Sequence, residues 1–155
     1  MEGIINQIIR WNRERNGLDF NVDTEIKMLT EEVNEFFMAE TKEDRLREAA
    51  DFTFVWIGTV AKCLGGRCKD WESLMLRKDF FDGIREWVDV ETKEMDEVLE
   101  EDGTYHLVPR VLEIVTKANF AKPKTKNVDG KVIKGDDCID PIEEIKQILK
   151  EEGLC

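Results

Sequence analysis

The ten residues Phe52-Thr53-Phe54-Val55-Trp56-Ile57-Gly58-Thr59-Val60-Ala61 carry no charge, in a chain of which 37% is Asp, Glu, Lys or Arg. That run is too short to cross a bilayer, which takes about 20 apolar residues. It continues the pattern of Lys42 to Leu64 and ends at Gly65-Gly66, a strong helix stop. A helix apolar on all sides must be surrounded by other helices. The run therefore predicts the central helix of an all-α bundle, with its neighbours supplied by the rest of the chain. Only 3 prolines and 1 tyrosine agree with helices rather than strands.

The neighbours are legible from periodicity. Residues 3–15 read as a helix with Ile4, Ile5, Ile8, Ile9 and Trp11 on a wide apolar face, and Gly17 ends it. Asp23 or Thr24 is expected to cap a second helix to about Glu40, with the stripe Ile26, Leu29, Val33, Phe36 and Phe37. Thr41, followed by Asp44, is the expected N-cap of the central helix. Asp70 is expected to cap a short helix, WESLMLRK, before a longer helical stretch to about Glu101. Residues 82–102 hold ten acids and two bases, yet Ile84, Trp87, Val88, Val90, Met95, Val98 and Leu99 offer an apolar face, so a solvated helix is expected. Pro109 opens a helix from Arg110 to Ala121, and Pro141 a final one to about Glu151. Between them lies KPKTKNVDGKVIKG, where Asp129-Gly130 signals a short hairpin. The expectation is one domain over 1–155, a helical bundle with an acidic helical insertion at about 67–105 and a short C-terminal hairpin.

Charge narrows the function. The formal net charge of −12 opposes binding to nucleic acid polymers or anionic membranes. The start, MEGIINQIIR, lacks the features of a signal peptide. Cys63, Cys68, Cys138 and Cys155 form no C-x-x-C pair, and His106 is the single histidine, so a zinc site is not expected. Reduced thiols in a cytoplasmic protein are the expectation.

The chemistry lies in two carboxylate pairs. Glu32-x-x-Glu35, with Glu31 beside it, falls on the second helix; Glu48-x-x-Asp51 falls on the third, at the edge of the uncharged run. Residues i and i+3 differ by about 60° around a helix, so each pair projects from one face. Twelve residues between Glu35 and Glu48 allow an antiparallel return that sets the pairs opposite each other. Either pair alone suits a solvated face. Crowded together near a core, they must take up protons, find lysines or bind cations. Convergent carboxylate oxygens are the hard donors that Mg²⁺ or Mn²⁺ prefers. Downstream, residues 117–134 hold six lysines against one acid, a basic segment suited to phosphate.

EEVNEF followed by REAADFTFVWIG resembles the E-x-x-E … E-x-x-D signature of the all-α, MazG-like nucleoside triphosphate pyrophosphatases, which include dimeric dUTPases and dCTP pyrophosphatases. EIVTKANFAK, then DGKVIKG … DPIEEI, is similar to the closing segment of phage and bacterial members, with N-x-x-K before a DGK-x-x-KG hairpin. The similar segments cover about 4–66 and 107–149. The resemblance implies a MazG-like four-helix bundle that converts a (d)NTP and water to the (d)NMP and pyrophosphate. It implies Glu32, Glu35, Glu48 and Asp51 as ligands of Mg²⁺ (or Mn²⁺) on the triphosphate, and Glu31 or Glu35 as the group that orients or deprotonates water. It further implies contacts to nucleotide or phosphate from Asn119 and Lys122, with Lys131 and Lys134 as further candidates. Trp11 is a candidate for stacking on a base. A homodimer or homotetramer is expected, because helices with exposed apolar faces are completed by self-association.

Two departures from the family pattern stand out. Lys117-Ala118 takes the place of an acid–small pair before Asn119, which leaves the base undetermined, and residues 67–105 replace a short linker. Two other functions suit the same residues: a nucleotide- or metal-sensing module that binds without hydrolysis, and an acidic helical interaction protein working through residues 82–102.

Overall fold

The computed structural model describes residues 3–15, 20–65, 71–122 and 140–154, with side chains described for all of these except 64–65 and 71–78. Among the described residues six α-helices follow one another: α1 (Ile4–Arg15), α2 (Val22–Met38), α3 (Lys42–Gly65), α4 (Trp71–Asp102), α5 (Val108–Phe120) and α6 (Ile142–Glu151). One 3₁₀ turn, Tyr105–Leu107, leads into α5. Among the described residues there is no strand. The hairpin expected around Asp129-Gly130, and the expected signals at Gly17 and Asp70, lie outside the described residues.

Helix α3 packs against all five other α-helices, as its uncharged half requires. The Thr41 hydroxyl accepts the Asp44 N–H at 3.1 Å and starts α3 where expected. The cap of α2 differs: Asn21, not Asp23 or Thr24, takes the role, its side chain accepting the Thr24 N–H at 3.0 Å. Asn21-Val22-Asp23-Thr24 offers three capping residues, and the extended backbone at Asn21 selects the first.

The main core gathers Leu29, Val33 and Phe36 of α2, Leu46, Ala49, Ala50 and Phe52 of α3, and apolar residues of α4, α5 and α6. A second cluster joins Ile8 and Trp11 to Phe54 and Leu112. Ile26 and Phe37, expected in the core stripe, are exposed at 42% and 45%. The buried face of α2 is rotated toward Glu25, which is only 1% exposed.

Helix α4 is one continuous helix of 32 residues, not a short helix followed by a longer one. No proline interrupts it, and Gly83 has open space around its Cα. Its charged side faces water while Val88, Met95 and Leu99 enter the main core; Val90, expected on that apolar face, is 58% exposed. The stretch read as an insertion thus supplies part of the bundle's packing. Its C-terminus closes on Gly103 (φ +74°), where the Gly103 and Thr104 N–H groups reach the Glu100 and Leu99 carbonyls. The Arg45 guanidinium forks onto Asp102 at 2.7 and 2.9 Å and ties this end to the start of α3. Helix α5 begins at Val108, two residues before the expected Arg110, with Pro109 in its first turn.

Candidate metal centre

Helices α2 and α3 run antiparallel and present their carboxylates to each other. One oxygen each from Glu32, Glu48 and Asp51 lies within 4.8 Å of the others. Glu32 and Glu48 are buried, and Asp51 is half-buried. The two E-x-x-[E/D] pairs therefore meet as their spacing predicted. Glu35 is exposed at the edge of the group, within hydrogen-bonding reach of Glu48. Glu31, half-buried, is its neighbour on α2.

The group is electrostatically strained. Burial first, then the charge of Asp51, a hydrogen bond that protonated Glu48 donates to Glu35 and the charge of Glu35 push the Glu48 carboxyl from 4.5 up to about 8, with Arg47 pulling the other way. Burial also raises Asp51, from 3.8 to about 6; Arg47 and Lys122 oppose it and Glu35 adds to it. Oε2 of Glu48 is buried and accepts no hydrogen bond from the described residues. An unsatisfied buried oxygen is costly unless a proton or a cation reaches it.

These residues fit a small divalent cation. All three donors are carboxylate oxygens, the donor type that Mg²⁺ and Mn²⁺ favour. Oxygens on opposite sides of one Mg²⁺ stand about 4.2 Å apart, and the three oxygens, all within 4.8 Å of one another, are near the separations such an ion needs.

Among the described residues, two cations flank the group. Arg47 Nη2 lies 3.4 Å from Glu48 Oε1, and its Nη1 is 3.7 Å from Asp140, just before α6. Lys122 follows the C-terminus of α5, and its charge acts on Asp51. Lys122, the lysine of the N-x-x-K segment, thus lies where its charge reaches the carboxylate group. Asn119, on the last turn of α5, is 9% exposed, and its carbonyl accepts the Trp11 Nε1–H at 2.9 Å and the Lys122 N–H at 3.1 Å. Lys131 and Lys134 lie outside the described residues.

Trp11, a candidate for stacking on a base, is 7% exposed. Phe54 meets it edge-on, with ring centres 5.0 Å apart, and the Arg15 guanidinium lies over its ring at 5.2 Å. An apolar face on α1 and a partner for the indole N–H outweigh exposure, so Trp11 anchors the end of α5 rather than offering a free ring.

Sequence reasoning missed Arg15 and Arg47. The Arg15 side chain is 3% exposed and its Nη2 donates to the Phe120 and Lys122 carbonyls at 3.0 and 3.4 Å. It caps the helix end that carries Asn119 and Lys122. Arg47, directly before Glu48, was the readable one: a base beside a core-edge acid is a ready counter-charge.

A cavity of about 450 Å³ lies on another face of α3. Phe52, Trp56, Met95 and Leu99 line its apolar side, and Asp96 and His106 are among its polar groups. Burial, then Glu100, raises the pKa of Asp96 there. No known family, curated protein or solved structure matches this chain. No described helix is long and apolar enough to cross a membrane.

Proposed function

We propose that this chain is a Mg²⁺-dependent nucleoside triphosphate pyrophosphohydrolase of the MazG-like kind, converting a (d)NTP and water to the (d)NMP and pyrophosphate. The observation that carries the reading is the convergence of Glu32, Glu48 and Asp51 between α2 and α3, with Lys122 acting on the same group. The motif resemblance supplies the reaction; the convergence supplies the chemistry it needs.

Glu32, Glu48 and Asp51 would hold the cation, and Glu35 borders them. Bound Mg²⁺ would neutralise phosphate charge and polarise the phosphoanhydride. Glu35 is exposed and adjacent, so it is the better placed of the two candidate bases to accept the proton of the attacking water; Glu31 is half-buried. Lys122 and Arg47 offset negative charge as the triphosphate arrives. Trp11 and Arg15 keep the α5 terminus, and with it Asn119 and Lys122, against the bundle.

Val22, Ile26, Phe37 and Met38 of α2 are exposed apolar residues, which supports a homodimer with this helix at its interface. The test is Mg²⁺-dependent pyrophosphate release from a panel of (d)NTPs. Turnover should appear with the wild type and collapse in Glu35→Gln and Asp51→Asn. No turnover of any nucleotide, or undiminished turnover in both variants, would sink the proposal.

A further inference from the structure

Two turns before Glu32 on α2, Glu25 is 1% exposed, in the region where α3 carries no charge for ten residues. Both of its oxygens are used. Oε2 accepts the Thr59 hydroxyl at 2.6 Å, and Oε1 accepts Lys62 Nζ at 2.6 Å. The Glu25 and Lys62 side chains are 2% and 6% exposed, so the pair is sealed from water.

A buried ion pair is weak evidence for stability, since apolar residues of similar volume often do as well. Its better-attested use is to fix register. Register matters between these two helices. Seven residues return to nearly the same helix face, so Glu25 and Glu32 look toward α3 together. Lys62 stands eleven residues beyond Asp51, three turns on, and likewise shares its face. Apolar contacts are non-directional and fix the vertical alignment of α2 on α3 only loosely, whereas the Glu25 contacts to Thr59 and Lys62 are directional and belong to this alignment. A slip of one turn moves Glu32 by about 5.4 Å. That displacement exceeds the whole 4.8 Å spread of the carboxylate group.

We infer that Glu25, Thr59 and Lys62 are positioning residues: their buried contacts set the register of α2 on α3 that brings Glu32 against Glu48 and Asp51. The inference rests on reading those three carboxylates as a metal site, and it does not depend on which substrate the site serves.

The test uses Mn²⁺ alone as probe, with the full chain, and reads the affinity from the signal of free Mn²⁺ in electron paramagnetic resonance. Lys62→Met alone strands a buried carboxylate and can unfold the chain, so the informative variant is Glu25→Met with Lys62→Met. That double variant should melt cooperatively at or above the wild-type temperature, because the apolar pair replaces the ionic one. Its Mn²⁺ affinity should nevertheless fall by about tenfold or more, as when groups that orient metal ligands are lost. Thr59→Val should weaken Mn²⁺ binding and Thr59→Ser should restore it. A folded double variant with wild-type Mn²⁺ affinity overturns the inference and leaves the metal site standing. If the double variant does not fold, equal affinities of the two Thr59 variants overturn it. A wild type that binds no Mn²⁺ overturns both the inference and the metal site.

Discussion

Replacing Glu48 with glutamine removes a charge that the metal-free fold holds at a cost. The side chain is buried, its Oε2 accepts no hydrogen bond from the described residues, and burial with Asp51 and Glu35 raises its pKa from 4.5 to about 8. The folded protein thus binds this proton more tightly than the unfolded chain does. Stability attached to Glu48 is complete below about 4.5 and is lost as pH rises through about 8. Expressed in full, that difference is worth about 5 kcal/mol. Solvent reaches the edge of the group at Glu35 and Asp51, and Arg47 stays beside it, so a gain of about 1–2 kcal/mol is expected for Glu48→Gln at alkaline pH. In a chain of this length that is about 3–6 °C in melting temperature. The assay is thermal unfolding in EDTA at about pH 5 and about pH 8.5, repeated with excess Mn²⁺. In EDTA the variant should melt higher than the wild type at the alkaline pH, and the advantage should shrink at the acid pH, where Glu48 is already neutral. Excess Mn²⁺ should raise the wild type and leave the variant nearly unmoved. Equal stabilisation of both proteins by Mn²⁺, or no gain for the variant in EDTA at about pH 8.5, would refute the reasoning.

Glu35→Gln should cut pyrophosphate release by about 10²–10⁴-fold while Mn²⁺ affinity falls less than in Asp51→Asn; paired turnover and titration measurements check this. Leu99→Ala should cost about 2–5 kcal/mol in urea unfolding, because Leu99 is 1% exposed in the main core; a loss below about 1 kcal/mol would mean that α4 is peripheral. Ile26→Lys combined with Phe37→Lys should leave a particle of 18.1 kDa by light scattering where the wild type shows twice that mass.

Much of the architecture was legible because single helices declare themselves. The uncharged run from Phe52 to Ala61 required a surrounded helix, and α3 is that helix. Thr41 announced its own cap. The E-x-x-E and E-x-x-D spacings put Glu32, Glu48 and Asp51 on facing helix sides, and the structure brings all three together. What escaped the sequence depends on partners far along the chain. Glu25 outcompetes Ile26 for the interior only because Thr59 and Lys62, 34 and 37 residues away, satisfy it. No local periodicity carries that information. Trp11 is legible as part of the apolar face of α1, but not that Asn119, 108 residues away, accepts its indole N–H. The apolar face of residues 82–102 is legible in the sequence, but not that Val88, Met95 and Leu99 on it enter the main core of the bundle.

Phosphorus NMR of a (d)NTP incubated with the protein and Mg²⁺ tests the central claim most directly, because it reports both products without a coupling enzyme. The account predicts that the triphosphate signals give way to one nucleoside monophosphate and one pyrophosphate in equal amounts, and that Asp51→Asn abolishes the change. Nucleoside diphosphate with inorganic phosphate, or triphosphates left intact across the panel, would contradict it.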